Sequence, residues 1–233
     1  MRKRTVGGAM MLLAVGGCAG AGPSDAGGVT ASASPSPVDA AVALVQARAA
    51  LESASYRFAT TLNNGVSVTG VVDPRSQDSE TVMTSPQGTL TIRKVDGVNY
   101  VLVATTESTG EPGTDGTKWV NATAEGGGAA AFEPATLNQS LSSATEVRWA
   151  DDDTISGVID MVKVAEQLGG DPTALAGKDT RFPFEADIDA AGRLVEYQFI
   201  PPAGLSATSS VTYSDFGTPV ALAAPPASEV RAP

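Results

Sequence analysis

Few side chains in this chain can do covalent chemistry. Histidine is absent from all 233 residues. That excludes Ser-His-Asp and Cys-His catalysis, imidazole zinc sites and the commonest general base near neutral pH. The chain has no Walker loop, no GxGxxG and no S-x-x-K pattern. Asp151-Asp152-Asp153 offers three carboxylates, but the alternating spacing and downstream Glu of a calcium loop are missing. Three adjacent acids between two strands read as a solvated turn. Glu111 to Gly116 reads as a plain polar loop, and Gly126-Gly127-Gly128 lacks the following helix with Lys-Thr that a phosphate cradle needs. No catalytic residue, metal or cofactor is expected, and the chain is read as a non-enzyme. The one thiol is Cys18, the only cysteine. It has no second Cys for a disulfide and no His or basic cluster to activate it as a free thiol.

Its surroundings suggest another use. Met1-Arg2-Lys3-Arg4 is a basic start, followed by an apolar run from Val6 to Val15. A bilayer span needs roughly 20 apolar residues, so this run has the length of a secretory h-region instead. It ends at Val15-Gly16-Gly17-Cys18, which resembles the bacterial lipobox, an aliphatic residue and two small ones before an invariant Cys. Gly16 departs from the usual Ala, Ser or Thr. The resemblance implies cleavage before Cys18 and a diacylglyceryl thioether on its sulfur.

The charge fits such an anchor. The chain carries −11, and loss of Arg2, Lys3 and Arg4 with residues 1–17 leaves −14. Such a surface is repelled by nucleic acid and by anionic headgroups, so acyl chains, not electrostatics, must hold it to a membrane. The organisation expected is a signal peptide at 1–17, a lipidated Cys with an Ala/Gly/Ser/Pro tether at 18–37, one domain at 38–227 and a disordered tail at 228–233. The site expected is the extracytoplasmic face of the cell membrane. With 42 % hydrophobic residues, the domain can build a core.

The domain opens with a helical pattern after Ser36-Pro37-Val38-Asp39, in which Val42, Val45, Ala49 and Leu51 form the apolar stripe. From Tyr56 the texture changes to short strands separated by turn residues, with Asp96-Gly97 the clearest hairpin signal. At least five antiparallel strands follow one another. The middle is less regular. A helical start lies at Pro134 to Leu141, a strand at 146–149, and a strand from Thr154 runs into a helix at 160–168. Two strands then alternate, with Phe182, Phe184, Ala186 and Ile188 on one face and Val195, Tyr197 and Phe199 aligned on the next. Pro183 suggests an edge or a bulge. Ser206 to Tyr213 is the final strand. The fold class is α+β: a curved antiparallel sheet with a few helices covering its apolar face.

The ending Val211-Thr212-Tyr213-Ser214-Asp215-Phe216-Gly217-Thr218-Pro219-Val220, followed by Ala224-Pro225-Pro226-Ala227, resembles the close of actinobacterial cell-envelope lipoproteins of the LppX/LprA/LprF/LprG type. The element order is similar over most of residues 38–227. The resemblance implies a LolA-like unclosed half-barrel with helices over its concave side and a hydrophobic cavity that takes an acylated lipid or glycolipid. The candidate lining is then the aromatics expected to point inward, Tyr56, Phe58, Tyr100, Phe182, Phe184, Tyr197 and Phe199. Leu90, Ile92 and Leu102 join them. The same residues fill a core if the interior is solid. In that case the chain is a scaffold or sensor for an envelope protein partner, with the polar loop at 105–117 as the suspect surface.

Overall fold

The computed structural model describes residues 38–61, 65–106, 118–122, 138–167, 170–175, 177, 179–199 and 209–231. Cys18, the lipobox residues Val15 to Gly17, the triglycine at 126–128 and nearly all of the loop at 105–117 lie outside them. The described residues from Val38 onward belong to one compact unit.

Helix α1 (Ala40–Ser53) starts because Asp39 caps it, its carboxylate accepting from the amides of Ala41 at 2.9 Å and Val42 at 3.3 Å. Eleven strands follow. In chain order they are β1 (Tyr56–Thr61), β2 (Ser67–Asp73), β3 (Asp78–Ser85), β4 (Gly88–Val95), β5 (Val98–Thr105), β6 (Val120–Asn121), β7 (Ala144–Trp149), β8 (Thr154–Asp160), β9 (Arg181–Ile188), β10 (Leu194–Phe199) and β11 (Ser209–Ser214). A second helix, α2 (Met161–Gln167), follows β8 directly. The sheet order is β6-β5-β4-β3-β2-β1-β11-β10-β9-β8-β7, with every strand pair antiparallel. The β6 and β7 edges do not pair with each other, so the sheet is unclosed, as the α+β expectation has it.

The hairpins follow from turn chemistry. Asp96 and Gly97 take φ of 52° and 78°, the left-handed pair that a two-residue turn between twisted strands requires. Two cross-strand pairs place a Phe opposite a glycine, Phe58 opposite Gly70 and Phe184 opposite Gly157. A Cβ on Gly157 would lie 2.6 Å from the Phe184 ring, and one on Gly70 would collide with Phe58. The missing side chains let both rings lie along the sheet.

The core sits between one face of the sheet and α1, which packs against β10 and β7. Ala40, Ala43, Leu44, Ala47 and Leu51 are the buried helix residues. This corrects the expected stripe, for Val42, Val45 and Ala49 point to solvent and only Leu51 is buried. The helix is apolar on both sides, so periodicity could not choose between them.

Three further expectations change. β9 is an interior strand; Pro183 faces Val158 of β8, and the β10 ladder has already ended at Phe184. In β10 the register slips between Leu194 and Glu196. Leu194 is therefore fully buried alongside Tyr197, while Val195 falls out of the inward row. The expected tail is also held, since the Trp119 amide donates to Glu229, the Arg231 amide donates to Trp119, and Val230 pairs with Trp119 at the β6 edge. That contact covers an edge that would otherwise offer unpaired backbone.

Candidate ligand-binding face

Directly paired residues share a face, so the registers sort every candidate. The inner face is the one α1 covers. It carries Tyr56 and Phe58 on β1, Val211 and Tyr213 on β11, Tyr197 and Phe199 on β10, and Phe184 on β9. Tyr197 and Phe184 are 0 % and 1 % exposed, with ring centroids 5.9 Å apart. Tyr56, Phe58, Phe184 and Tyr197 are buried in the core, and Phe199 is half-buried at its edge. Phe182 stands half-buried at the end of the same row, opposite Ile159.

Following the pairs the other way, Phe58 leads through Gly70, Thr81 and Ile92 to Val101, and Thr60 leads through Val68, Met83 and Leu90 to Val103. Leu90 and Ile92 therefore share the inner face with the core. Tyr100 and Leu102 do not, because they pair with Arg93 and Thr91 on the outer face, in line with Glu80, Val71 and Arg57. The correction has a simple cause. Closing β4 and β5 with the two residues Asp96 and Gly97 pairs even-numbered positions of β4 with odd-numbered positions of β5. Val101 and Val103 were the residues to name, and this hairpin's own turn carried the signal.

Leu90, Ile92, Val101 and Val103 thus form an apolar quartet on the inner face, all half-buried. They extend the core sheetward past Val72 and Met83, which pack against it. Among the described residues no helix packs over this quartet in the way α1 covers β10. At the turn end of the same face the row becomes polar, with Lys94 opposite Asn99 and Ser79.

The covered end is closed by polar tips. A short helical segment at 138–143, the described end of the helix expected at 134–141, brings buried Asn138 and Ser140 over the tyrosines. The Tyr213 hydroxyl donates to Asn138 Oδ1 at 3.4 Å, Ser140 Oγ lies 3.4 Å from the Tyr197 hydroxyl, and Arg48 Nε donates to the Asn138 carbonyl at 3.1 Å. Burial pushes the Tyr56 phenol up to about 12, and it raises Tyr197 and Tyr213 as well. Asp171 and Asp189 are held below the usual carboxylate range by Thr173 and Arg193, and both cap turns.

The outer face is crossed by the C-terminal segment. Ser55 Oγ donates to the Thr218 carbonyl at 2.6 Å, and Arg93 Nη1 donates to that of Ala223 at 3.2 Å. Arg93 also donates to Glu80 at 2.6 Å and lies 4.9 Å over the Trp119 ring. Beside this strap are two clefts of about 200 and 350 Å³ that share Arg57, Val71 and Glu80. Asp151 to Asp153 are exposed between β7 and β8, and the Asp151 amide donates to the Thr154 carbonyl. Among the described residues no helix is long and apolar enough to cross a membrane.

No protein-family model matches this chain, and no curated protein matches it. Among solved structures it is similar to a LolA superfamily protein from Nitrosomonas europaea, at 10 % identity and a TM-score of 0.30, over 79 % of this chain and 96 % of that one.

Proposed function

We propose that the chain is an envelope lipoprotein, anchored through Cys18 at the extracytoplasmic face of the cell membrane. It holds the acyl part of a lipid or glycolipid against the inner face of β3 to β5 and hands it on without chemistry. The observation that carries this reading is the apolar quartet Leu90, Ile92, Val101 and Val103, left half-buried beside a filled core. Contiguous apolar surface of this kind marks a binding site. An acyl chain laid there gains about 25 cal/mol per Å² of apolar surface removed from water. The buried candidates Phe184 and Tyr197 support the fold under α1 and are not contacts of the ligand.

The test is extraction and mass spectrometry of the purified protein, wild type against Ile92→Asp. A stoichiometric, noncovalently held acylated lipid is expected from the wild type and lost in the variant, which still unfolds in one cooperative transition. A wild type that carries no lipid and takes up no added glycolipid sinks the reading. A second reading, a scaffold for an envelope protein partner, is favoured by one observation, the open 350 Å³ cleft on the outer face lined by Arg57, Thr69, Glu80 and Thr212.

A further inference from the structure

Val38, Val42 and Val45 are 53 %, 48 % and 61 % exposed, the exposed large apolar side chains among the described residues. Val42 and Val45, with exposed Ala49, lie along one line of α1 about 10 Å long, and Val38 immediately precedes the helix cap Asp39. That line is the helix face turned away from the core. From Ala40 to Ala47 the helix has no charged residue, in a chain whose balance is −11. The half-exposed indole of Trp149 stands at the same end, donating through Nε1 to the Val38 carbonyl at 2.8 Å.

We infer that this stripe is a contact for the acyl-headgroup boundary of the bilayer, and that it orients the domain on the membrane. The inference rests on the anchor at Cys18. Val38 comes twenty positions after Cys18, so covalent geometry keeps the stripe within about 70 Å of an anchored sulfur. Three valines expose far less than the ~800 Å² per partner that a stable protein interface buries. A tethered surface needs much less, because the anchor supplies the affinity and the patch only selects an orientation. A neutral, apolar stripe suits the boundary region, and a Trp beside it suits the headgroup level. Asp39, exposed at the helix cap, stands next to Val38. The contact is therefore with uncharged or zwitterionic lipid, since anionic headgroups would repel that end.

The lipidated protein carrying Val45→Cys tests this. With Cys18 occupied by its thioether, the introduced thiol is the one that takes a nitroxide label. In phosphatidylcholine vesicles the label's collision rate with oxygen, relative to a water-soluble nickel chelate, should exceed that of the same label at Ala59→Cys several-fold. Ala59 is exposed on the outer face of β1. A ratio equal to the Ala59 value overturns the inference. A label shielded from both collision partners also overturns it, in favour of contact with a second protein molecule. The mass of the mature chain separates the two readings. A missing diacylglyceryl mass removes the anchor and this inference together, whereas a lipidated protein with a water-like label removes the stripe alone.

Discussion

Strands β9 and β4 lie in one sheet and differ in how they are covered. In β9, Phe184, Ala186 and Ile188 are buried while Arg181, Pro183 and Glu185 face water. In β4 every side chain before Val95 is half-buried, and β5 is half-buried throughout. Both regions have strong hairpins and β-branched residues. The difference is what lies against them. α1 and the helical segment at 138–143 seal the inner face of the first region. The C-terminal strap crosses the outer face of the second, leaving its inner quartet without a helix among the described residues. Burial in a sheet is thus assigned by its cover, and one apolar face can be sealed core at one end and half-buried at the other.

This contrast can be broken by unfolding measurements. Phe184→Ala should have the largest effect, about 3–5 kcal/mol, because a buried ring is removed from a filled interior above Gly157. A loss under about 1 kcal/mol by chemical denaturation would mean that the covered end is loosely packed after all. Alkaline titration sharpens the same end. Tyr56 is raised from 10.0 to about 12 in the folded state by burial. The stability tied to its neutral form is fully present below pH 10 and drains away as pH climbs from 10 through 12. Absorbance should show the phenolates of Tyr56, Tyr197 and Tyr213 appearing together with unfolding. Titration of these three at pH 10 in a still-folded protein would contradict their burial. The smallest effect is expected at the open end, where Ile92→Ala removes a half-buried side chain for about 1 kcal/mol. A loss there as large as that of Phe184→Ala would show that the quartet is core and not a surface held for a ligand.

The legible part of this protein was local. The helix that opens after Asp39, Asp96-Gly97 as a hairpin turn and the alternation of β9 are interactions between near neighbours, and the residues near them are enough to predict them. The meander of strands after Tyr56 follows from the same turns. Register could also have been read. The two-residue turn at 96–97 already forces Ile92 beside Val101, so the placing of Tyr100 and Leu102 inward was an avoidable error of parity. The bulge in β10 was not avoidable, since Leu194 and Val195 are equally apolar and only the strands on either side decide which one turns in.

By itself, then, the sequence determined a basic start, a lone cysteine after a short apolar run, a chain without imidazole chemistry, one helix after Asp39 and a run of antiparallel hairpins. The tertiary structure alone decided which side of α1 meets the sheet, which aromatics are core and which face outward, and where the apolar face is left without a helix. Those outcomes depend on contacts between segments far apart in the chain, such as Arg93 with Ala223 or Tyr213 with Asn138. Periodicity barely separates the valine side of α1 from its alanine and leucine side, so the partner surface breaks the tie.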